Sequence, residues 1–208
     1  MFPFAHLGIA LGSALVLHKG AALAMVDVPW EKRRVEDADS LRGRTARRSQ
    51  TSSAVTWIDY RLILLGSILP DIIDKPLGIW LLGDGRALAH SLLFSALLVA
   101  LGLLLYARRR STGLLSLSFG SIVHLLLDKI WLDPGIFLWP IFGWSFERGD
   151  ASSWLERWLE TLTTEPSVYV PEVIGALLLG ALFFYLVRRG TLHSFVRTGT
   201  ADRGMKRR

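Results

Sequence analysis

Residues Leu69–Lys75 read LPDIIDK and carry two carboxylates into an otherwise apolar run extending from Leu62 to Gly83. A run of that length suits a helix crossing ~30 Å of hydrocarbon, where an ionisable side chain costs about 2.5–3.5 kcal/mol on insertion scales. Either the run is not a span or the acids have a task. Composition settles the first point: 51% of the 208 residues are hydrophobic and the mean hydropathy is +0.37, too apolar for a soluble domain of this size. Working outward, four more runs are long enough to cross, giving 5–26, 60–82, 87–107, 112–132 and 168–187. The first ends in the small-residue stretch AALA, as a secretory signal does, but no Lys or Arg precedes its apolar part, so it reads as a span.

The fold expected is all-α: a polytopic membrane helix bundle of about five spans. Pro70 and Pro76 bracket the aspartates and break the second span. Residues 1–190 form the bundle, with 31–56 inserted as a flexible basic cytoplasmic loop, and 191–208 form a basic cytoplasmic tail. Residues 134–144, PGIFLWPIFGW, are apolar but too short to cross; Trp139 and Trp144 suit the headgroup region, as do Trp80 and Trp131. Ser153 and Glu156 make a capping-box pattern opening WLERWLETL, whose Trp154, Leu155, Trp158, Leu159 and Leu162 share one face. That predicts a short interfacial helix.

The net charge of +6 raises the question of a nucleic-acid partner. The basic residues follow the spans instead. Lys32, Arg33, Arg34, Arg42, Arg44, Arg47 and Arg48 follow the first run, Arg108–Arg110 the third, and Arg188, Arg189, Arg197, Arg203, Lys206, Arg207 and Arg208 the fifth. Only Arg86, Arg148 and Arg157 fall on the other side. By the positive-inside rule the N-terminus lies outside and the C-terminus in the cytoplasm of a plasma or inner membrane, with the lipid bilayer as partner and no nucleic acid. The absence of cysteine excludes disulfides, thiolate metal sites and cysteine nucleophiles.

Depth is the useful test for the polar residues inside the runs. At ~1.5 Å of rise per residue, Asp74 lies ~12 Å below the outer end of its span and Asp71 one turn deeper; Asp128 and His124 lie ~6 and ~12 Å below the end of theirs. His90 and His6 open their spans on the same side. Four spans of alternating direction thus bring six candidate ligands into one layer. Asp71 and Asp74 are spaced i,i+3, and His124 and Asp128 i,i+4, so each pair can share a metal. Carboxylate with imidazole suits zinc, manganese or iron(II). The competing reading has the aspartates capping a broken helix and the histidines hydrogen-bonding between helices. His18 and Lys19 lie at the opposite end, His193 reads as a solvated tail residue, and Glu172 as interfacial.

HLGIALG (6–12), GSILPDIIDKP (66–76), GRALAHSLLF (85–94) and HLLLDKIW (124–131), followed by LWPIFGW (138–144), together resemble the YdjM-like membrane-bound metal-dependent hydrolases, in particular a branch with a DxxDKP motif. The likeness runs over about two thirds of the chain. It implies a polytopic membrane hydrolase using a divalent metal, with a substrate that is unassigned. The matching polar residues are His6, Asp71, Asp74, Arg86, His90, Ser91, His124 and Asp128; where the wider family commonly has PDxDH, this chain has PDIIDKP.

The chemistry expected is a metal-activated water, a carboxylate as general base and Arg86 as a clamp for an anionic group, acting on a lipid, lipid-linked or phosphorylated molecule. Asp71, Asp74, His90 and Arg86 are the candidate catalytic residues. His6, Asp71, Asp74, His90, His124 and Asp128 are the candidate metal ligands. Ser91, beside His90 in sequence and so off its helical face, supports rather than attacks. The alternatives are a transporter or proton pathway using the same acids, and a non-catalytic bundle core.

Overall fold

The computed structural model describes residues 3–26, 58–77, 88–144 and 154–199, without side chains for 20–26 and 154–158. Its described residues are helical, with no strand. The helices are α1 (Pro3–Val26), α2 (Tyr60–Gly66), α3 (Leu69–Leu77), α4 (Leu92–Arg109), α5 (Gly113–Leu127), α6 (Pro134–Phe137), α7 (Trp154–Thr164), α8 (Pro166–Arg189) and α9 (Leu192–Thr198); 3₁₀ turns cover Leu88–His90 and Ile130–Leu132. The all-α expectation holds. The 31–56 loop, Trp80, Arg86 and Ser153 lie outside the described residues.

Among the described residues, two helices have the length and composition to cross a membrane: α4 and the 24-residue α8. Both present apolar side chains outward, with Leu97 60% and Phe184 63% exposed, as lipid-facing helices do. The apolar α5 has only 15 residues, because Lys129 turns the chain into the left-handed region at φ 51°. The described part of the second expected span, residues 60–77, is two short helices. Pro70 has no amide hydrogen to continue the ladder from α2, so α2 stops at the Ser67–Ile68 turn and Pro70 sits in the first turn of α3.

Small residues set the helix spacing. The largest contact joins α1 to α8, where Gly8 and Gly175 bring the two backbones together; a methyl on either would strike the other helix's backbone. The α2–α5 contact depends likewise on Gly66 and Gly120. Between these pairs Leu11, Ala14, Tyr60, Ile63, Leu186 and Phe195 form the apolar core. Phe195 comes from α9, so the first part of the basic tail is a helix docked on the bundle; Tyr60 N donates to Gly199 O at 3.0 Å. A helix stands where the short one was expected, as α7, with Leu159 half exposed. Trp139 and Trp144 meet edge to face at 5.4 Å, beside an apolar loop tip where Ile141 is 80% exposed.

Candidate metal centre

The break after α2 aims the site. Ser67 ends the helix, and its carbonyl, freed from the helical ladder, accepts a hydrogen bond from His124 Nδ1 at 2.7 Å. A carbonyl only accepts, so Nδ1 carries the proton and the Nε2 lone pair of His124 faces away from α2. His124 is fully buried on α5.

One helical turn into α3, Asp74 does the same for His90. The Asp74 carboxylate is fully buried and accepts from Ala89 N (2.9 Å), His90 N (3.0 Å) and His90 Nδ1 (2.7 Å). With Nδ1 committed to Asp74, His90 Nε2 is left bare. Asp71, one turn earlier, reaches the other side of the same ring, with Oδ1 3.7 Å from His90 Nε2 and Oδ2 2.7 Å from the Lys75 ammonium. The DxxD pair therefore flanks one imidazole: Asp74 is hydrogen-bonded to Nδ1, and Asp71 stands near Nε2 without bonding it.

The two bare nitrogens meet: His90 Nε2 and His124 Nε2 are 3.2 Å apart. Two lone pairs at that distance repel unless a cation lies between them. Asp71 Oδ1 is 3.9 Å from His124 Nε2, and Asp128 Oδ2 is 3.9 and 3.8 Å from the two Nε2 atoms. Donors around a metal with bonds of ~2.0–2.1 Å sit about 3.3–3.4 Å from one another, so Asp71, His90 and His124 stand within about half an ångström of the spacing of a shared ion. A shared proton or a divalent cation would satisfy the two nitrogens.

His6 enters from α1. It is 1% exposed, stacks on His124 with ring centroids 3.9 Å apart, and brings Nε2 to 3.2 Å from Asp128 Oδ1. That approach lacks hydrogen-bond alignment, so neither ring nitrogen of His6 has a hydrogen-bond partner. Buried imidazole nitrogens in that state are donors awaiting a ligand. Two groups, His6–His124–Asp128 and Asp71–His90–His124, each have the spacing to hold a metal ion.

Residues 40–196 match the family described as YdjM inner membrane protein. The chain belongs to that family. The YdjM match includes Asp71, Asp74, His90, His124 and Asp128, whereas His6 and α1 lie before its start. This YdjM-family chain is accordingly a membrane protein whose buried His/Asp cluster can hold a metal. No curated protein and no solved structure matches it.

Convergence was legible from sequence for His6, Asp71, His90, His124 and Asp128, which the structure brings together. Asp74 stands behind His90, on the side away from His124. Ser91 caps α4, accepting from Phe94 N at 3.1 Å and donating to Leu88 O at 2.7 Å. Sequence reasoning missed two participants. The Ser67 carbonyl carries no side-chain signal; its only trace is the proline that ends α2. Glu172, read as interfacial, is buried and accepts from the α1 backbone. An acid inside an apolar run is the same signal that picked out Asp71.

Proposed function

We propose that the protein is an integral-membrane metal-dependent hydrolase, acting on an ester or phosphoester of a lipid or lipid-linked molecule. The supporting observation is the pair of bare imidazole nitrogens 3.2 Å apart, flanked by two carboxylates. His90 and His124 through Nε2, with Asp71 and Asp128, are the ligands in this reading, and His6 is the fifth donor. Zinc fits this nitrogen–oxygen set, and so do manganese and iron(II). Bound there, the metal supplies a water of lowered pKa and a Lewis acid for the scissile group.

The chain's own groups do the rest. Asp74 and the Ser67 carbonyl hold the proton on Nδ1 of His90 and His124, which turns both Nε2 lone pairs toward the metal position. Asp128 presents Oδ1 to His6 Nε2 at 3.2 Å and Oδ2 to the other two imidazoles, so it ties His6 to the rest of the ligand set. Lys75 is 59% exposed beside Asp71, where an ammonium meets an anionic substrate as it approaches. Arg86 has the same role in this proposal.

Orientation belongs to the proposal too. Arg108 and Arg109 close α4, and Arg188 and Arg189 close α8, at the ends away from the cluster. With basic ends inside, the site opens toward the outer leaflet, the N-terminus is outside and the C-terminus cytoplasmic. Five crossings are retained in this reading, α2–α3 forming a broken one.

The test is metal content and turnover in one preparation. Full-length protein purified in detergent is expected to carry metal and to hydrolyse a generic phosphoester or ester. Metal flux into vesicles without turnover would make it a transporter, and protein that takes up no metal would leave a structural bundle.

A further inference from the structure

Glu172 lies on α8 and touches none of the cluster, yet it is 6% exposed in a membrane helix. Its two oxygens accept separately: Oε1 from Ala5 N and Oε2 from Phe4 N, both at 3.1 Å. These amides belong to the first turn of α1, where backbone N–H groups have no partner within the helix and the helix dipole is positive. An ionised carboxylate suits that end, and Pro3 before them has no N–H to satisfy. The next residue along α1 is His6.

A second contact fixes α1 one turn further on. Gly8 and Gly175 lie backbone to backbone, and Gly175 also abuts the Phe4 carbonyl. His6 is thus bracketed by Glu172 on residues 4 and 5 and by Gly175 at residue 8. Rotation of α1 by one residue turns a side chain by ~100°, enough to carry the imidazole off the cluster. The glycine contact sets how closely the helices approach; the carboxylate, anchored to two named amides, sets the depth and rotation of α1.

We propose that Glu172 is a positioning residue of the metal site: it holds the α1 N-terminus so that His6 lies against Asp128 and His124. This rests on the metal reading above. Glu172 acts through α1 and does not touch the reacting groups.

The test is a double-mutant cycle on cobalt(II) affinity and the visible spectrum of the bound cobalt, using full-length protein in detergent. His6→Ala is expected to weaken binding at least about tenfold. Glu172→Ala is expected to weaken it by a similar factor and to give the His6→Ala spectrum. The double variant should bind no more weakly than His6→Ala, because the second change removes nothing that remains. Glu172→Gln keeps one acceptor oxygen and should restore much of the affinity and the unmutated spectrum. If Glu172→Ala does not yield monodisperse protein, Glu172→Gln replaces it in the cycle, with an intermediate loss expected alone and none on the His6→Ala background. Effects that multiply in the double variant, or Glu172→Ala with unmutated affinity and spectrum, overturn the proposal and leave the metal reading standing; where Glu172→Gln stands in for it, no loss of affinity at all does the same. Unchanged affinity in His6→Ala overturns it as well. No cobalt binding by the unmutated protein overturns both.

Discussion

Histidines stand at both ends of this bundle, and their partners differ. At the α9 end, His18 Nδ1 meets the Tyr60 hydroxyl at 2.6 Å, and the Asp59 carboxylate accepts from Arg61 Nε and Nη2 at 3.1 and 2.7 Å. Donors face acceptors there, and the polar groups lock α1, α2 and α9 together. At the other end His90 and His124 spend one nitrogen each on a fixed acceptor and turn the second toward one another, while His6 spends neither. Matched partners make a fastening; converging acceptors make a site. Histidine content alone does not separate the two ends, but the direction of each ring nitrogen does.

The sharpest way to break this contrast is to remove a converging nitrogen. His90→Ala or His124→Ala is expected to abolish stoichiometric metal in purified protein, measured by elemental analysis. Next comes the group behind the ring. Asp74→Asn keeps the volume but no longer fixes the His90 proton on Nδ1, and is expected to lower metal affinity about 10- to 100-fold by chelator competition. If Asp74 were itself the main ligand, the loss would equal that of His90→Ala.

The α9 end should behave oppositely. Tyr60→Phe removes the hydroxyl that His18 meets and is expected to lower thermal stability by about 1 kcal/mol, with metal content unchanged. The smallest effect belongs to Asp59. Hydrogen bonds from the Arg61 side chain hold its carboxyl below the ordinary value of 3.8, against the opposing pull of burial. A depressed folded pKa contributes stability above the unfolded value, and that contribution is lost as pH falls through the folded one. Asp59→Asn still caps α2, so it should lower Tm by only about 2 °C at pH 7. The gap between variant and unmutated protein should close below about pH 4.

Sequence reasoning reached the site further than it reached the helices. Charges in apolar runs are rare enough that depth alone brought Asp71, His90, His124 and Asp128 into one layer, and spacing put His124 and Asp128 on one face. Helix boundaries departed from the apolar runs where backbone chemistry took over: Pro70 divides the second run, and Lys129 ends α5 at 15 residues. Hydropathy windows register neither. The roles of Asp74 and Glu172 were hidden for a related reason. Both carboxylates take backbone amides as partners, and an amide is present at nearly every residue, so no motif announces the pairing. Docking of α9 rests chiefly on Phe195, one aromatic in a basic stretch, which charge counting hides.

X-ray absorption at the metal edge, on protein loaded with one equivalent of zinc in detergent, addresses the central claim most directly. The account predicts a nitrogen–oxygen shell at about 2.0–2.1 Å with outer-shell scattering from at least two imidazoles, lost in His90→Ala and His124→Ala. A shell of oxygens alone, without imidazole scattering, or protein that does not retain zinc, would contradict it.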